Sequence, residues 1–213
     1  MPHHQFPTTY VYWETLKDHD ILKAKYMPII DQIERRKDTP LKNPFTFCDI
    51  NVTSFSDKNT FLSLDDIDEI IWKPIDNFIR EINSTYNHKI NVKTSFIHNY
   101  WFNTYKMGDF QEFHNHHGPR EQHPLSGLWS YPTFSGIYIL HDDTETSSIV
   151  FKSPNTIPQP FTDLTNHHVF YTTSENSIKE GSVVIFPSQL EHMVKKCIKP
   201  GRRTIAFNVS SNL

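Results

Sequence analysis

Hydrophobic residues in the first part of the chain recur at helical spacing. Two segments, residues 16–36 and 63–86, carry apolar side chains three or four positions apart, which predicts two helices that each bury one face. Ser63 opens the second segment and is a residue type that caps helix N-termini. The apolar positions are Leu22, Tyr26, Ile29, Ile30 and Ile33 in the first segment and Ile67, Ile70, Ile71, Ile75, Phe78, Ile79 and Ile82 in the second. We expect both helices to pack against the outside of a sheet.

From residue 89 onward the pattern changes to short runs rich in Val, Ile, Phe, Tyr and Thr, separated by Pro, Gly, Asn and Asp. A series of such runs without intervening helices predicts a sandwich or a barrel of strands. The predicted strands are residues 10–15, 48–55, 92–100, 136–140, 148–151, 169–173, 182–186, 192–198 and 204–209. The sequence therefore indicates one domain over residues 1–213, with a helical support region (1–90) and a β core (91–213).

Composition narrows the class of protein. Lys and Arg total 21 against 24 Asp and Glu, and the two signs are interspersed along the chain. The sequence therefore lacks the basic stripe that would indicate a nucleic-acid partner. No apolar run approaches the roughly 18 residues of a membrane helix, and no signal peptide is evident, so we expect neither a membrane span nor secretion. Cys48 and Cys197 are far apart and outside any CxxC pair. We interpret them as buried thiols of a cytoplasmic protein, although a disulfide between them is an alternative.

Three histidines follow a pattern that suits a metal ion. His114 and His116 are two positions apart, so on a strand both side chains project from one face. Neutral imidazole binds iron, zinc, copper and nickel. In a chain with 13 histidines this pair alone is weak evidence. However, a glycine turn, an apolar strand and Pro187 lead to His192, and in a jelly roll the two strands lie opposite one another. We therefore predict a metal site of His114, His116 and His192.

A wider pattern surrounds these histidines and resembles the 2-oxoglutarate- and Fe(II)-dependent dioxygenases over about residues 95–210. The similarity is greatest to a branch of that superfamily found in phages and marine bacteria. The motifs are Asn103-x-Tyr105-x-x-Gly108-x5-His114-x-His116, Ser135-Gly136-Ile137-Tyr138, Phe186-Pro187-x4-His192 and Arg203-x-x-x-Phe207-Asn208. The resemblance implies a mainly β fold with N-terminal helices, namely a double-stranded β-helix (jelly roll, cupin-like).

The resemblance also implies a reaction. Such an enzyme uses Fe(II) as cofactor and 2-oxoglutarate and O2 as cosubstrates, hydroxylates a C–H bond of a prime substrate, and releases succinate and CO2. The prime substrate would be a small molecule or a peptide, and prolyl hydroxylation is one option because the Tyr-x-x-Gly…His spacing is similar to that of prolyl hydroxylases.

Residue roles follow from the same resemblance. His114 and His192 would be the first and last metal ligands. Arg203 would pair with the distal carboxylate of 2-oxoglutarate, because a guanidinium binds a carboxylate through two hydrogen bonds. The adjacent Arg202 should point to the opposite face, so this assignment depends on the strand register. Further contacts with the oxo acid would come from Asn103, Tyr105 and Tyr138.

The middle ligand position departs from the family pattern. Members usually carry His-x-Asp or His-x-Glu, a set of two histidines and one carboxylate that suits Fe(II). Here the position holds His116. Either His116 ligates, which removes one negative charge and makes the iron a stronger Lewis acid, or a carboxylate from elsewhere replaces it. The candidate carboxylates are Asp109, Glu112 and Glu121.

The segment 117–133 is longer than expected between the histidine pair and Ser135. It predicts either a decorated surface loop or a lid over the substrate that carries Arg120, His123 and Trp129. Trp101 is a further candidate for substrate contact.

A neighbouring class provides the alternative. The segments Gly108-x5-His114-x-His116-x4-Glu121 and Gly181-x5-Pro187-x4-His192 nearly satisfy the two cupin motifs, with Gln189 where Gly is usual. Cupins often bind a metal through three His and one Glu, and include isomerases, dioxygenases without 2-oxoglutarate and small-molecule binders. An inactive barrel is a third hypothesis. Arg203, Asn103 and Tyr105 favour the 2-oxoglutarate enzyme, since a plain cupin does not need them.

Overall fold

A computed structural model describes residues 9–35, 48–55, 61–86, 89–118, 120–122, 127, 129–143, 149–152, 154, 169–171 and 178–211. Two α-helices, α1 (His19–Arg35) and α2 (Leu64–Tyr86), occupy the two predicted helical segments. Ser63 caps α2, since its hydroxyl accepts a hydrogen bond from the Asp66 amide at 3.2 Å. Neither of these helices is long and apolar enough to cross a membrane.

Short strands make up the rest of the regular structure, and a single-turn 3-10 helix (Val92–Thr94) precedes β4. In chain order, the strands of the described segments are β1 (Tyr12–Thr15), β2 (Cys48–Asp49), β3 (Val52–Thr53), β4 (Ser95–Thr104), β5 (Phe110–His114), β6 (Glu121–Gln122), β7 (Trp129–Ser130), β8 (Phe134–His141), β9 (Ile149–Lys152), β10 (Val169–Tyr171), β11 (Ser182–Pro187), β12 (His192–Val194) and β13 (Arg203–Ser211).

Two antiparallel sheets form the body of the fold. The six-stranded sheet has the order β1-β11-β8-β13-β4-β3, and the five-stranded sheet has the order β10-β9-β12-β5-β2. Strands distant in sequence are neighbours in both, as in a jelly roll. This arrangement confirms the predicted mainly β fold with N-terminal helices. The strands β1, β2 and β3 also join the sheets, so the region before residue 91 contributes more than helical support.

The core consists of two apolar layers on either side of the six-stranded sheet. One layer packs α1 and α2 onto the sheet through side chains such as Ile30, Phe78 and Phe207. The other lies between the two sheets and includes Ile137 of β8 and Phe151 of β9. The helices therefore lie on the outside of the sheet, as the sequence predicted, and the inner faces of the two sheets remain to form a site.

Several strand boundaries differ from the predicted ones. The strand β4 begins only at Ser95 but continues to Thr104, and β12 ends at Val194 rather than at residue 198. The chain leaves the ladder there because Cys197 exchanges backbone hydrogen bonds with the turn at residues 106–109: its amide donates to the Asp109 carbonyl and its carbonyl accepts from the Gly108 amide. The short pair β6–β7 lies within the predicted loop. Residues 36, 148, 172 and 173, at predicted element ends, lie outside the described part.

Gly136 is required by the packing of β8 against β13. It lies directly opposite Phe207 in the antiparallel pair. A Cβ atom on Gly136 would lie 2.1 Å from Cζ of the Phe207 ring, far inside contact distance, and that ring is fully buried. The glycine therefore leaves the space that the aromatic side chain fills.

We expect Gly136→Ala to lower the free energy of unfolding by about 1–3 kcal/mol, because a buried ring must leave its rotamer or the strands must separate. Urea denaturation followed by circular dichroism measures this. Gly118→Ala is the matched control, since its Cβ would meet no atom closer than 3.9 Å; its effect should stay within about 0.5 kcal/mol. An equal effect of both substitutions would contradict the packing argument. Adding Phe207→Leu to Gly136→Ala should recover part of the loss.

Candidate metal centre and adjoining cavity

The pairing of β5 with β12 brings two histidines together. His114 and His192 are direct partners in this antiparallel pair, so both side chains project from the same face of the sheet. Their ring centres are 4.4 Å apart. The aromatic side chain of Phe186, from the opposite sheet, lies against the His192 ring at 4.6 Å. Strand register therefore fixes these two imidazoles next to one another.

The sequence predicted His116 on the same strand as His114, but in the structure it lies two residues beyond the end of β5. Its amide donates a hydrogen bond of 2.8 Å to the Ser188 carbonyl. This hydrogen bond holds the His116 ring close to the other two imidazoles. Its centre lies 5.5 Å from that of His114 and 4.8 Å from that of His192. One nitrogen from each ring lies within 4.8 Å of the others. Nitrogens bound to one ion at about 2 Å and at angles near 90–110° lie roughly 3 Å apart, so ring movements of up to about 2 Å would bring all three to one ion.

Carbonyl oxygens orient all three rings in the same sense. The Nδ1 atoms lie 2.7 Å from the Glu112 backbone oxygen for His114 and 3.0 Å from the Leu190 backbone oxygen for His192. For His116, Nδ1 lies 3.1 Å from Oδ1 of Asn208. A carbonyl oxygen only accepts, so each Nδ1 carries the proton and each Nε2 carries the lone pair. This is the usual arrangement around a metal bound through Nε2.

The environment favours the neutral form of two of the three imidazoles. Burial lowers the pKa of His114 below its ordinary value. Burial lowers the pKa of His192 further, and the neighbouring His116 and His114 add to this effect because like charges repel. Neutral imidazole is the form that binds a metal. The cluster is therefore ready for a cation at neutral pH.

Within the described residues, no carboxylate joins the three imidazoles. Asp109 is buried, but its carboxylate accepts a hydrogen bond from the Lys106 amide at 2.7 Å and so stabilises the turn before β5. Glu112 is exposed to solvent. The side chain of Glu121 lies outside the described part. Of the alternatives for the middle position, His116 is thus the residue that the fold brings to the other two histidines.

A cavity of about 210 Å³ adjoins the histidines between the two sheets. Its lining comes from both sheets and from the segments that flank β3 and β5. Side chains of Ile137, Val194 and Ala206 form apolar walls near the polar groups. The polar and aromatic lining residues include Thr53, Phe55, His98, Asn99, Trp101, Asn103, Tyr105, Gln111, Asn115, His117, Arg202, Thr204 and Asn208.

The arginine that lines the cavity is Arg202 and not Arg203. Arg203 points to the helical side of the sheet, where its guanidinium contacts Glu34 of α1 at 2.6 Å and Asp31 at 3.6 Å. Arg202 is 2% exposed, and its guanidinium lies 3.3 Å from the buried carboxylate of Asp142. Consecutive residues at the start of a strand face opposite sides. The expectation that Arg203 enters the site is therefore not met.

Asn103 and Tyr105 line the cavity, where the resemblance had assigned them. The Tyr105 hydroxyl donates to Oε1 of Gln111 at 2.8 Å, and burial raises its pKa, so it stays protonated. The Arg202 guanidinium lies 5.5 Å from the centre of the Tyr105 ring. Asn103 is buried, and in the described structure its Oδ1 has no hydrogen-bond partner. Such an atom is costly unless a ligand or water contacts it.

Other residues predicted for the site are distributed differently. Tyr138 faces the helices, where its hydroxyl lies 2.8 Å from Nδ1 of His19, so it is not a cavity residue. Trp101 does line the cavity, with its ring 5.3 Å from that of His116. Arg120 and Trp129 are exposed on the β6–β7 segment and do not line the cavity; His123 lies outside the described residues.

Neither a protein-family model nor a curated protein matches the sequence. Solved structures share its fold at low identity. A prolyl-4-hydroxylase from Pseudomonas putida is 12% identical with a TM-score of 0.57, covering 94% of this chain and 92% of that one. A viral collagen prolyl hydroxylase from Paramecium Bursaria Chlorella virus-1, in a 2-oxoglutarate complex, is 11% identical with a TM-score of 0.50, covering 93% and 96%.

A third structure with this fold is HygX from Streptomyces hygroscopicus, solved with nickel, 2-oxoglutarate and hygromycin B bound. It is 11% identical with a TM-score of 0.52, and the match covers 95% of this chain and 82% of that one. These three likenesses extend over nearly the whole chain. They establish its fold as the one on which those enzymes are built.

The low pKa of His192 has a consequence for the metal-free protein. Below the ordinary histidine pKa of about 6.5 the unfolded chain binds a proton that the folded chain excludes, so stability falls as the pH falls. We expect the free energy of unfolding to decrease between pH 7.5 and 5.5 with a contribution from His192 of up to about 1.4 kcal/mol per pH unit. In His192→Leu this part of the slope should be absent. Urea denaturation with a chelator present, at several pH values, measures both slopes; equal slopes would exclude a depressed pKa.

Proposed function

We propose that this chain is a 2-oxoglutarate- and iron(II)-dependent oxygenase that hydroxylates a small-molecule or peptidyl substrate and releases succinate and CO2. One observation carries the proposal: a three-imidazole cluster and a buried guanidinium line the same cavity. The cluster alone would equally suit a cupin-type metal protein. A buried arginine and a buried asparagine amide that can turn its NH2 group into the cavity fit a binding site for a carboxylate cosubstrate.

The metal ligands in this proposal are His114, His116 and His192. Their neutral imidazoles and Nε2 lone pairs suit iron(II), and three protein ligands leave positions for further ligands. With 2-oxoglutarate and O2 bound, the iron supplies the oxidation of a C–H bond. The protein contributes ligand geometry and a walled cavity. Apolar side chains around the cluster limit water there, which strengthens the interaction of the cavity with charged ligands.

The anchor for the distal carboxylate of 2-oxoglutarate is Arg202. Its guanidinium is buried and can present two parallel N–H donors to a carboxylate. Its charge is balanced by Asp142, and burial favours the neutral forms of His114 and His192. A divalent metal and the 2-oxoglutarate dianion then neutralise one another. This balance fits a site whose middle ligand is His116 and not a carboxylate.

Asn103 and Tyr105 are the proposed polar contacts to the oxo acid. The oxygen and nitrogen of an amide exchange places when it turns by 180°, so Asn103 can direct its NH2 group to a carboxylate or keto oxygen. The protonated hydroxyl of Tyr105 can serve as a donor if it turns from Gln111. Thr204, directly opposite Asn103 on β13, offers a further hydroxyl on the same wall.

The proposed substrate is a small molecule or a peptide. The structures that share the fold include prolyl hydroxylases and an enzyme solved with hygromycin B, and prolyl or peptidyl hydroxylation is one reading for this chain. Of the predicted substrate contacts, Trp101 is retained because its ring borders both the cavity and His116.

We also propose a reducing, cytoplasmic location, since the buried Cys48 and Cys197 are both thiols.

The iron-loaded protein should convert 2-oxoglutarate to succinate in the presence of O2, and His192→Ala should abolish this conversion because it removes a ligand at the centre of the cluster. Succinate is quantified by mass spectrometry, and 2-oxoglutarate binding by calorimetry on the metal-loaded protein. His141→Ala is the control, since that ring contacts Glu180 at 2.8 Å outside the cavity. If the iron-loaded protein binds no 2-oxoglutarate, the proposal is wrong and a cupin-type function becomes the better account.

Arg202 and Arg203 should differ sharply in 2-oxoglutarate binding. The proposed pair between the Arg202 guanidinium and the distal carboxylate of 2-oxoglutarate is buried, and removing one partner of a buried charged pair costs about 3–5 kcal/mol. The double variant Arg202→Ala/Asp142→Asn removes the guanidinium without leaving the Asp142 carboxylate unpaired. It should weaken 2-oxoglutarate binding more than a hundredfold. Arg203→Ala should change affinity by less than about tenfold, or about 1.4 kcal/mol. Asp142→Asn alone should bind as tightly as the unaltered protein or more so. Calorimetry with the nickel-loaded variants tests this, and the reverse ranking of the arginines would restore Arg203 as the anchor.

A further inference from the structure

A buried polar network meets the outer side of the His116 ring. Oδ1 of Asn208 lies 3.1 Å from Nδ1 of His116 and 2.7 Å from the Ser135 hydroxyl. Nδ2 of Asn208 donates to Oδ1 of Asn99 at 2.9 Å. The Ser135 and Ser188 hydroxyl oxygens are 2.9 Å apart. The network therefore joins three neighbouring strands, β4, β13 and β8, to the loop that also binds the His116 amide.

The direction of these hydrogen bonds follows from their chemistry. Oδ1 of Asn208 is an acceptor, so the Ser135 hydroxyl and one nitrogen of His116 both donate to it. Turning the amide by 180° would direct its NH2 group at the Ser135 hydroxyl and at the ring, and would place its oxygen against Oδ1 of Asn99. With the Asn99 amide oriented as it is here, partners on two sides define the Asn208 amide, and the proton of His116 belongs on Nδ1.

An imidazole in the middle ligand position needs such a partner in a way that a carboxylate does not. Both oxygens of a carboxylate carry lone pairs and either can bind a metal. A neutral imidazole has one nitrogen with a proton and one with a lone pair, and the hydrogen bond made by one nitrogen decides which role the other plays. For His116 to direct a lone pair at the cluster, an acceptor must lie on its outer side.

We infer that Asn208 is the positioning residue that makes His116 a metal ligand, by fixing both the tautomer and the orientation of its ring. The inference rests on the proposed function only in taking the three histidines as a metal site. For His114 and His192, backbone carbonyl oxygens accept the hydrogen bond from Nδ1 and orient the ring in the same way. His116 lies beyond its strand and depends on this side chain instead. Ser135 and Asn99 hold the amide in place, and the side chains of Asn99, Ser135, Ser188 and Asn208 are all buried.

The first measurement concerns the metal-free protein. Two-bond ¹H–¹⁵N correlation spectra report the tautomer of each histidine, and the His116 signals are assigned by their loss in His116→Gln. We expect the Nδ1–H tautomer for His116 in the unaltered protein and in Asn208→Asp, which retains an oxygen acceptor. Asn208→Leu, similar in size but without an acceptor, should lose the preference for this tautomer.

The second measurement is the affinity for Co²⁺ alone, from competition with a chromophoric chelator. Loss of a partner that orients a metal ligand lowers affinity by about 10–100-fold, and we expect this for Asn208→Leu. Asn208→Asp should stay within about threefold of the unaltered protein or bind more tightly. Ser210→Ala is the matched control on the same strand: Ser210 contacts Nδ1 of His98 at 3.0 Å, and His98 is outside the cluster. It should change neither measurement.

The inference is overturned if Asn208→Leu keeps the Nδ1–H tautomer of His116 or binds Co²⁺ within about threefold of the unaltered protein. Circular dichroism verifies folding, and if Asn208→Leu does not fold, Asn208→Ala is measured with the same expectations. Failure of the proposed function has a different signature. In that case the tautomer and Co²⁺ results are as expected, but the metal-loaded protein binds no 2-oxoglutarate.

Discussion

The antiparallel register of β5 and β12 is the constraint on which the site depends. His114 and His192 are direct partners in that pair, and a slip by one residue would turn one ring to the opposite face of the sheet. β12 lies inside the sheet, with Phe151 of β9 opposite His192 on its other side. Register is therefore defined from both flanks. The cavity, the position of His116 and the approach of Arg202 all presuppose this arrangement.

Much of this organisation could be predicted from the sequence, because it follows from local periodicity. Helical spacing identified α1 and α2, and the histidine pair with His192 identified the cluster. The choice between Arg202 and Arg203 could not be made by counting from His192, since residues 195–202 leave the ladder and their number does not define a face. The signal lay in β13 itself. Large apolar side chains at Ile205, Phe207 and Val209 pack toward the helices, and Arg203 is in phase with them; Arg202 is in phase with Thr204, Ala206 and Asn208.

For the motif Ser135-Gly136-Ile137-Tyr138, the sequence does not determine which side chains face the cavity. The resemblance gave Tyr138 a role beside the cosubstrate, whereas the structure directs it to His19 on α1. The strand β8 is buried on both faces almost throughout, so no alternation of polar and apolar residues indicates which side faces the helices. Two strands from the same sheet flank it, and only their tertiary arrangement decides. Ser135, on the opposite face, has the closer relation to the site through Asn208.

The contact between Gly136 and the Phe207 ring reaches beyond the stability of this chain. The two residues are cross-strand partners, so the volume available to one is whatever the other leaves. Packing thus couples the two positions: a larger residue at the first calls for a smaller one at the second. The coupling lies in the same strand that presents Asn208 to His116, so a change of volume at Gly136 would be transmitted to β13 and to the residue that orients the middle histidine.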